Sequence, residues 1–99
     1  MNPARVLARP TADRDVEAAF DGYESQTPDL GLQFLAEIRA TYDRIAAGPA
    51  KYQLVVTQVR RALLRRFPYA VYFAIENDVA VILAVLHAAR DPAKWQRGV

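Results

Sequence analysis

The sequence predicts a small α+β domain: an N-terminal strand, an antiparallel helical hairpin, then a mostly antiparallel three-stranded sheet. Three observations predict it. Apolar residues recur at helical spacing over two consecutive stretches, the apolar period then changes toward two, and Asn77-Asp78 separates two strand-like runs. Helices segregated from a run of strands describe an α+β layer arrangement rather than alternating βα units.

Arg5-Val6-Leu7-Ala8-Arg9 reads as the first strand, stopped by Pro10. Thr11 follows as the expected N-cap of a helix, its hydroxyl accepting from an unpaired first-turn amide. Asp13, Asp15 and Glu17 place negative charge near the positive end of the helix dipole. Ala12, Val16, Ala19, Phe20 and Tyr23 carry the helical period to about Gln26. After the Thr27-Pro28 break, a second helix begins near Asp29 or Leu30. Its apolar stripe is Phe34, Leu35, Ile38, Tyr42 and Ile45, with Arg39 and Asp43 spaced to pair on the outside. Gly48-Pro49 ends it, because glycine tolerates the cap conformation and proline cannot continue the helix. So short a linker makes the two helices antiparallel neighbours.

Residues 50 to about 57 read as a loop. Val59–Arg66 then reads as a strand and Phe67-Pro68 as a turn or edge, since proline cannot donate to a ladder. Tyr69–Ile75 and Val79–His87 form a hairpin on Asn77-Asp78. A two-residue loop sets Ile75 opposite Ala80, Phe73 opposite Ile82 and Tyr72 opposite Leu83. Neither side of this hairpin is polar: Val71, Phe73 and Ile75 share one, and Ala70, Tyr72 and Ala74 share the other with Val81, Leu83 and Val85. Helices cover one side. The other is expected to be bare, about five side chains and a few hundred Å², near the limit for a lone protein. A second polypeptide or the C-terminal segment with Trp95 would cover it.

The 99 residues suit one domain over positions 1–99, and 53% hydrophobic residues suffice for a core. A net charge of +2 is too small for a general nucleic-acid coat protein. Eleven of the thirteen cations are arginine, a bias toward planar, bidentate contacts with carboxylate or phosphate. The absence of cysteine removes disulfides, thiol nucleophiles and thiolate metal sites. The N-terminus lacks a secretory h-region, and the apolar run Val79–Leu86 is far short of the roughly 20 residues of a membrane helix. A soluble protein in the cytoplasm, away from membranes, is expected.

The chemistry available is narrow. His87 is the single histidine, no carboxylates fall at ligand spacing, and no metal or cofactor is expected. There is no glycine-rich phosphate loop, and Ser25 is the lone serine with no histidine placed beside it. What remains is arginine and tyrosine. Arg60, Arg61, Arg65 and Arg66 surround Ala62-Leu63-Leu64, and Arg90 follows the last strand. Alternation along a continuous strand sends Arg61 and Arg65 to one face and Arg60 and Arg66 to the other. Arg61 and Arg65 are then the candidates for contacting a target, with Tyr69 and Arg90 nearby. Arg60 and Arg66 are expected to be solvated or to face a partner, where charge also blunts edge-to-edge aggregation.

The ordered set "ADRDVEAAFDGYE", "LGLQFLAEIRATYDRIAAGP", "VRRALLRRFPYAVYF" and "VILAVLHAARDPAKW" resembles the RelE/ParE superfamily of toxins from bacterial type II toxin–antitoxin pairs, in its plasmid-stabilisation branch. The likeness spans about Arg5 to Gln96. It implies an antitoxin partner that wraps the toxin, here over Tyr72, Val81, Leu83 and Val85. When the protein is free, the same face leaves a homodimer open. It also implies one of two actions. RelE-like members are metal-free ribonucleases of ribosome-bound mRNA, and that pattern assigns Arg61, Arg65, Tyr69 and Arg90 as the catalytic candidates. ParE-like members bind DNA gyrase without catalytic residues, with Arg61, Arg65, Arg90 and Trp95 the target-binding candidates. The ribonuclease pattern is incompletely kept. Ala70 stands where ribonuclease members carry an arginine, Leu63 fills a second basic position, and Trp95-Gln96 replace a tyrosine. Removing one preorganised charge stabiliser costs about 10²–10³ in rate, and a general acid or base about 10²–10⁴. A gyrase-binding toxin is therefore the leading expectation. The alternatives are the endonuclease and a non-toxic module that only pairs with its antitoxin.

Overall fold

A computed structural model describes residues 4–89. Strand β1 (Arg5–Ala8) leads into helices α1 (Pro10–Gln26) and α2 (Leu30–Ala47). A single 3₁₀ turn at Pro49–Lys51 precedes β2 (Gln53–Val56), β3 (Val59–Leu63), β4 (Tyr69–Glu76) and β5 (Val79–His87). The five strands form one sheet in the order β1-β5-β4-β3-β2. All neighbours are antiparallel except β1, which lies parallel to β5 with Val6 opposite Ala80 and Ala8 opposite Ile82. The helical hairpin intervenes between these two strands, which gives β1 the crossover that parallel pairing requires.

Pro10 is the first residue of α1, a position where its missing N–H costs nothing and its fixed φ suits a helix. Thr11 is accordingly not the N-cap; Arg9 is, with no side-chain cap. The Thr11 hydroxyl instead donates to the Leu83 carbonyl at 3.1 Å, and the Asp15 carboxylate accepts from the Val85 amide at 3.0 Å. One turn apart on α1, these two side chains satisfy the edge of β5 beyond the point where β1 stops. The start of α2 is also capped from outside. Asp29 lies in the left-handed region (φ 71°) and makes no side-chain cap. Glu24 of α1 accepts from the Asp29 amide at 3.0 Å and the Gly31 amide at 2.9 Å. Gly31 fits closely there: a Cβ would lie 2.7 Å from the Phe20 ring and 2.9 Å from the Glu24 carboxylate, so both side chains would have to shift.

The helices cover one side of the sheet. Ala12, Ala19, Phe34, Ile38 and Ile45 pack on Ala62, Val71, Phe73, Ala80, Ile82 and Val85. At one end, Tyr23, Phe34, Phe67 and Tyr69 interlock at ring separations of 5.0–6.1 Å, mostly edge-on as ring quadrupoles favour. Leu35, placed on the apolar stripe by spacing, is turned outward and 37% exposed. Arg39 and Asp43 do not form the ion pair that their spacing allows.

Three further expectations are corrected. The segment read as a loop contains β2, whose four residues are too short to announce themselves by period. It pairs with β3 through Val56 opposite Val59, around a turn with Thr57 at φ 36°. Next, β3 stops at Leu63 rather than Arg66. Finally, a bulge between Tyr72 and Phe73 sets Tyr72 opposite Ala84, not Leu83, while Phe73 opposite Ile82 and Ile75 opposite Ala80 hold as expected. An unpaired residue in β5 reverses the alternation beyond it. Val85 therefore belongs to the helix-side core, and the opposite side carries Ala84 and Leu86.

That opposite side is not bare. Val59, Ala70, Tyr72, Ala84 and Leu86 form a second buried cluster, with Val55, Val56 and Leu83 packed against it, and Tyr72 is only 1% exposed. The apolar side chains left open are marginal. Leu7 beside Val81 and Leu63 beside Ala70 are 58% and 57% exposed. Trp95, expected over this face, lies outside the described residues.

Candidate functional site

The arginine-bearing segment is where structure departs most from strand alternation. Arg60 lies in β3 opposite Phe73, on the helix side, and its guanidinium donates to the Ala50 carbonyl (3.0 Å) and the Tyr52 carbonyl (2.6 Å). It is half-buried, with its guanidinium committed to these two carbonyls rather than wholly solvated. It ties the segment between α2 and β2 to the sheet, beside the Tyr52 ring that packs edge-on to Phe73 at 5.8 Å. Arg61, opposite Tyr72, faces the other side.

Arg65 and Arg66 fall in the turn between β3 and β4, where a buried carboxylate governs them. Glu37 of α2 accepts from the Arg65 amide, from the Arg66 amide at 3.0 Å, and from the Arg66 Nε at 3.3 Å. These contacts explain why β3 ends at Leu63: the next amides, after Leu64 N–H reaches the Tyr69 carbonyl at 3.0 Å, go to a helix side chain rather than a strand. Burial by itself would raise the Glu37 carboxyl. The amides of Arg66 and Arg65 and the Arg66 guanidinium outweigh it and hold that group below the ordinary carboxylate range. Glu37 was missed from the sequence because nothing local marks one glutamate on a helix as a turn anchor.

Beside this anchor, Ala36, Glu37, Ala40, Arg44, Arg65 and Arg66 line a hollow of about 370 Å³. Arg44 is steadied by Thr41, whose hydroxyl accepts from its Nη2 at 3.1 Å and donates to the Glu37 carbonyl at 2.7 Å. The Arg65 guanidinium has no hydrogen bond or ion pair among the described residues.

Tyr69 is on the helix side, its ring against Tyr23, Phe34 and His87. With Ala18, Ala19 and His87 it borders two adjoining hollows of about 200 and 270 Å³ along α1, the first reaching Asp15 and the second Tyr23 and Gln26. Burial pushes the Tyr23 hydroxyl above its ordinary range, and the neighbouring Tyr69 adds to this. His87 Nδ1 accepts from the Ala89 amide at 3.2 Å, which leaves the proton of a neutral ring on Nε2. This His87–Tyr69–Asp15 grouping was not legible either, since it joins three elements distant in sequence.

The candidates Arg61, Arg65 and Tyr69 are thus not brought together. Arg65 and Tyr69 line different hollows, and Arg61 faces the side of the sheet away from both. Arg90 and Trp95 lie outside the described residues. Of the four side chains assigned to antitoxin contact, Tyr72 and Leu83 are in the second cluster and Val81 is 7% exposed opposite Ala74, while Val85 is in the helix-side core. No group of three or more His, Asp or Glu placed to hold a metal occurs among the described residues.

Residues 6–92 match the family model described as the ParE toxin of the type II toxin–antitoxin system, parDE. The chain belongs to that family. Its fold is shared with two solved structures. One is the chromosomal ParDE toxin–antitoxin system from P. aeruginosa, with a TM-score of 0.77 at 19% identity, covering 85% of this chain and 95% of that one. The other is the toxin–antitoxin complex RelBE2 from Mycobacterium tuberculosis, with a TM-score of 0.61 at 22% identity, covering 91% and 97%. Among curated proteins no sequence matches significantly. The likeness to the two complexes is one of fold. Among the described residues, no helix is long and apolar enough to cross a membrane.

Proposed function

We propose that this ParE-family chain is the toxin of a toxin–antitoxin pair that acts in the cytoplasm by binding a protein, DNA gyrase, and is neutralised by a cognate antitoxin. The observation that supports a binding mode of action is the dispersal of Arg61, Arg65 and Tyr69 onto different surfaces. An endonuclease must hold its base, its acid and its charge stabiliser within about 3 Å of one phosphodiester group. Side chains on opposite sides of a sheet do not meet that need. Binding a protein makes no such demand.

The antitoxin reading is supported by the fold shared with the two toxin–antitoxin complexes. Exposed Leu7 and Leu63 flank the second cluster of the sheet and offer apolar anchors at its margins. Adding the purified protein to a gyrase supercoiling reaction tests the target. Inhibition at micromolar protein, relieved by the protein encoded in the adjoining short reading frame, is the expected result. No inhibition, with codon-positioned cuts in message on translating ribosomes that vanish in Arg90→Ala, transfers the reading to the ribonuclease side. Unchanged growth on expression without the adjoining frame leaves only a module that pairs with its antitoxin.

A further inference from the structure

We propose that the hollow between α2 and the β3–β4 turn docks a carboxylate-bearing, apolar-tipped segment of the toxin's protein target. The inference rests on the reading that the target is a protein and names the surface that recognises it. Three arginines, Arg44, Arg65 and Arg66, line the hollow together with the exposed residues Ala36 and Ala40, which make up its apolar part. The charged part is largely preorganised. The Arg65 and Arg66 backbones are held by Glu37 and the Arg44 guanidinium by Thr41, so on binding an anion the main cost of order is that of the Arg65 side chain.

The fixed charge does not cancel within the hollow. Glu37 is the one carboxylate there, its two oxygens already accept three donors, and it is set against three arginines. The Arg66 side chain remains 67% exposed beyond its Nε contact, and Arg65 is uncommitted among the described residues. Planar forks of this kind favour bidentate contact with carboxylate or phosphate.

The apolar part decides between these. Alanine methyls at positions 36 and 40 continue an exposed apolar stripe that includes Leu32, 55% exposed, at four-residue spacing along α2. A phosphodiester backbone brings nothing apolar to that stripe, and a whole-chain charge of +2 gives little general attraction for nucleic acid. A peptide segment with acidic residues beside a leucine-like side chain satisfies both the charged and the apolar part.

The test titrates the full-length protein with a blocked hexapeptide alternating glutamate and leucine, and separately with decathymidylate. Arginine Nε–H and alanine methyl resonances are followed by NMR. Saturable shifts at Arg44, Arg65, Ala36 and Ala40 with the peptide, weakened at least about tenfold in Arg65→Gln/Arg44→Gln, support the site. Ala40→Gln, which fills the apolar part without changing charge, should weaken the peptide comparably. An equal thermal midpoint for each variant shows that folding is intact. No saturable shift, or tighter binding of decathymidylate than of peptide, overturns the proposal. In the gyrase reaction, wild type should inhibit and the double variant should need at least about tenfold more protein. Equal inhibition by both overturns docking here while leaving gyrase as the target. Peptide binding without wild-type gyrase inhibition supports the site and removes gyrase as its target.

Discussion

Replacing Glu37 by glutamine keeps the shape of a buried side chain and removes its charge. In the native protein, one carboxylate accepts from two backbone amides and from the Arg66 guanidinium, and the residue is only 7% exposed. Both turn amides bond one carboxylate oxygen and the Arg66 Nε bonds the other, so a glutamine whose oxygen stays on the amides turns its NH₂, a donor, toward the Arg66 Nε, which loses its acceptor. Hydrogen bonds to a charged group contribute about 1.5–3 kcal/mol, and here one is lost and two lose their charge assistance. A net loss of about 2 kcal/mol is expected. For a domain of this size that lowers the thermal midpoint by about 8–16 °C. With a urea slope near 2 kcal/mol/M it also moves the denaturation midpoint by about 1 M. The pH dependence separates charge from shape. Because the folded-state Glu37 carboxyl sits below its ordinary range, its contribution is fully present above the unfolded-state value. It is lost as pH falls through the folded one. The gap between wild type and Glu37→Gln should therefore be widest near neutrality and close in acid. Urea melts of both proteins at neutral pH and at successively lower pH read it directly. Equal midpoints at neutrality would refute the turn-anchor role, and a gap that stayed constant into acid would refute its electrostatic origin.

Three other outcomes are expected. Gly31→Ala should destabilise by about 1–3 kcal/mol in thermal melts, because its Cβ would drive Phe20 and the capping Glu24 carboxylate aside. Tyr42, pushed up to about 12 chiefly by burial and further by Asp13 and Asp15, should ionise well above the ordinary tyrosine range in an ultraviolet titration that compares wild type with Tyr42→Phe. Stability should fall as pH rises from about 10 toward 12, because the unfolded chain releases that proton first, and Tyr42→Phe should remove this component. Arg60→Ala should free the Ala50 and Tyr52 carbonyls and expose residues 48–53 to limited proteolysis, at a cost of about 1–3 kcal/mol.

Both helices were legible nearly to the residue, because Thr27-Pro28 and Gly48-Pro49 punctuate two strong helical periods. The β4–β5 hairpin was legible too. Asn77 and Asp78 both adopt positive φ, 51° and 66°, in the tight turn their side chains tolerate. Strand β2 escaped notice because Gln53–Val56 is too short to establish a period. The Leu83 bulge escaped because one apolar residue more or less in an apolar run leaves no mark.

The amino-acid order alone determined the helical hairpin, the terminal β-hairpin and a surplus of guanidinium groups, since each follows from near-neighbour spacing and backbone preference. Only tertiary structure decided where those guanidinium groups stand. A carboxylate 28 residues earlier in the chain diverts the amides of Arg65 and Arg66, two distant carbonyls claim Arg60, and a single bulge turns Val85 inward. The physical reason is that buried donors must be satisfied by whatever acceptor the packed elements bring near, and sequence proximity has no part in that choice.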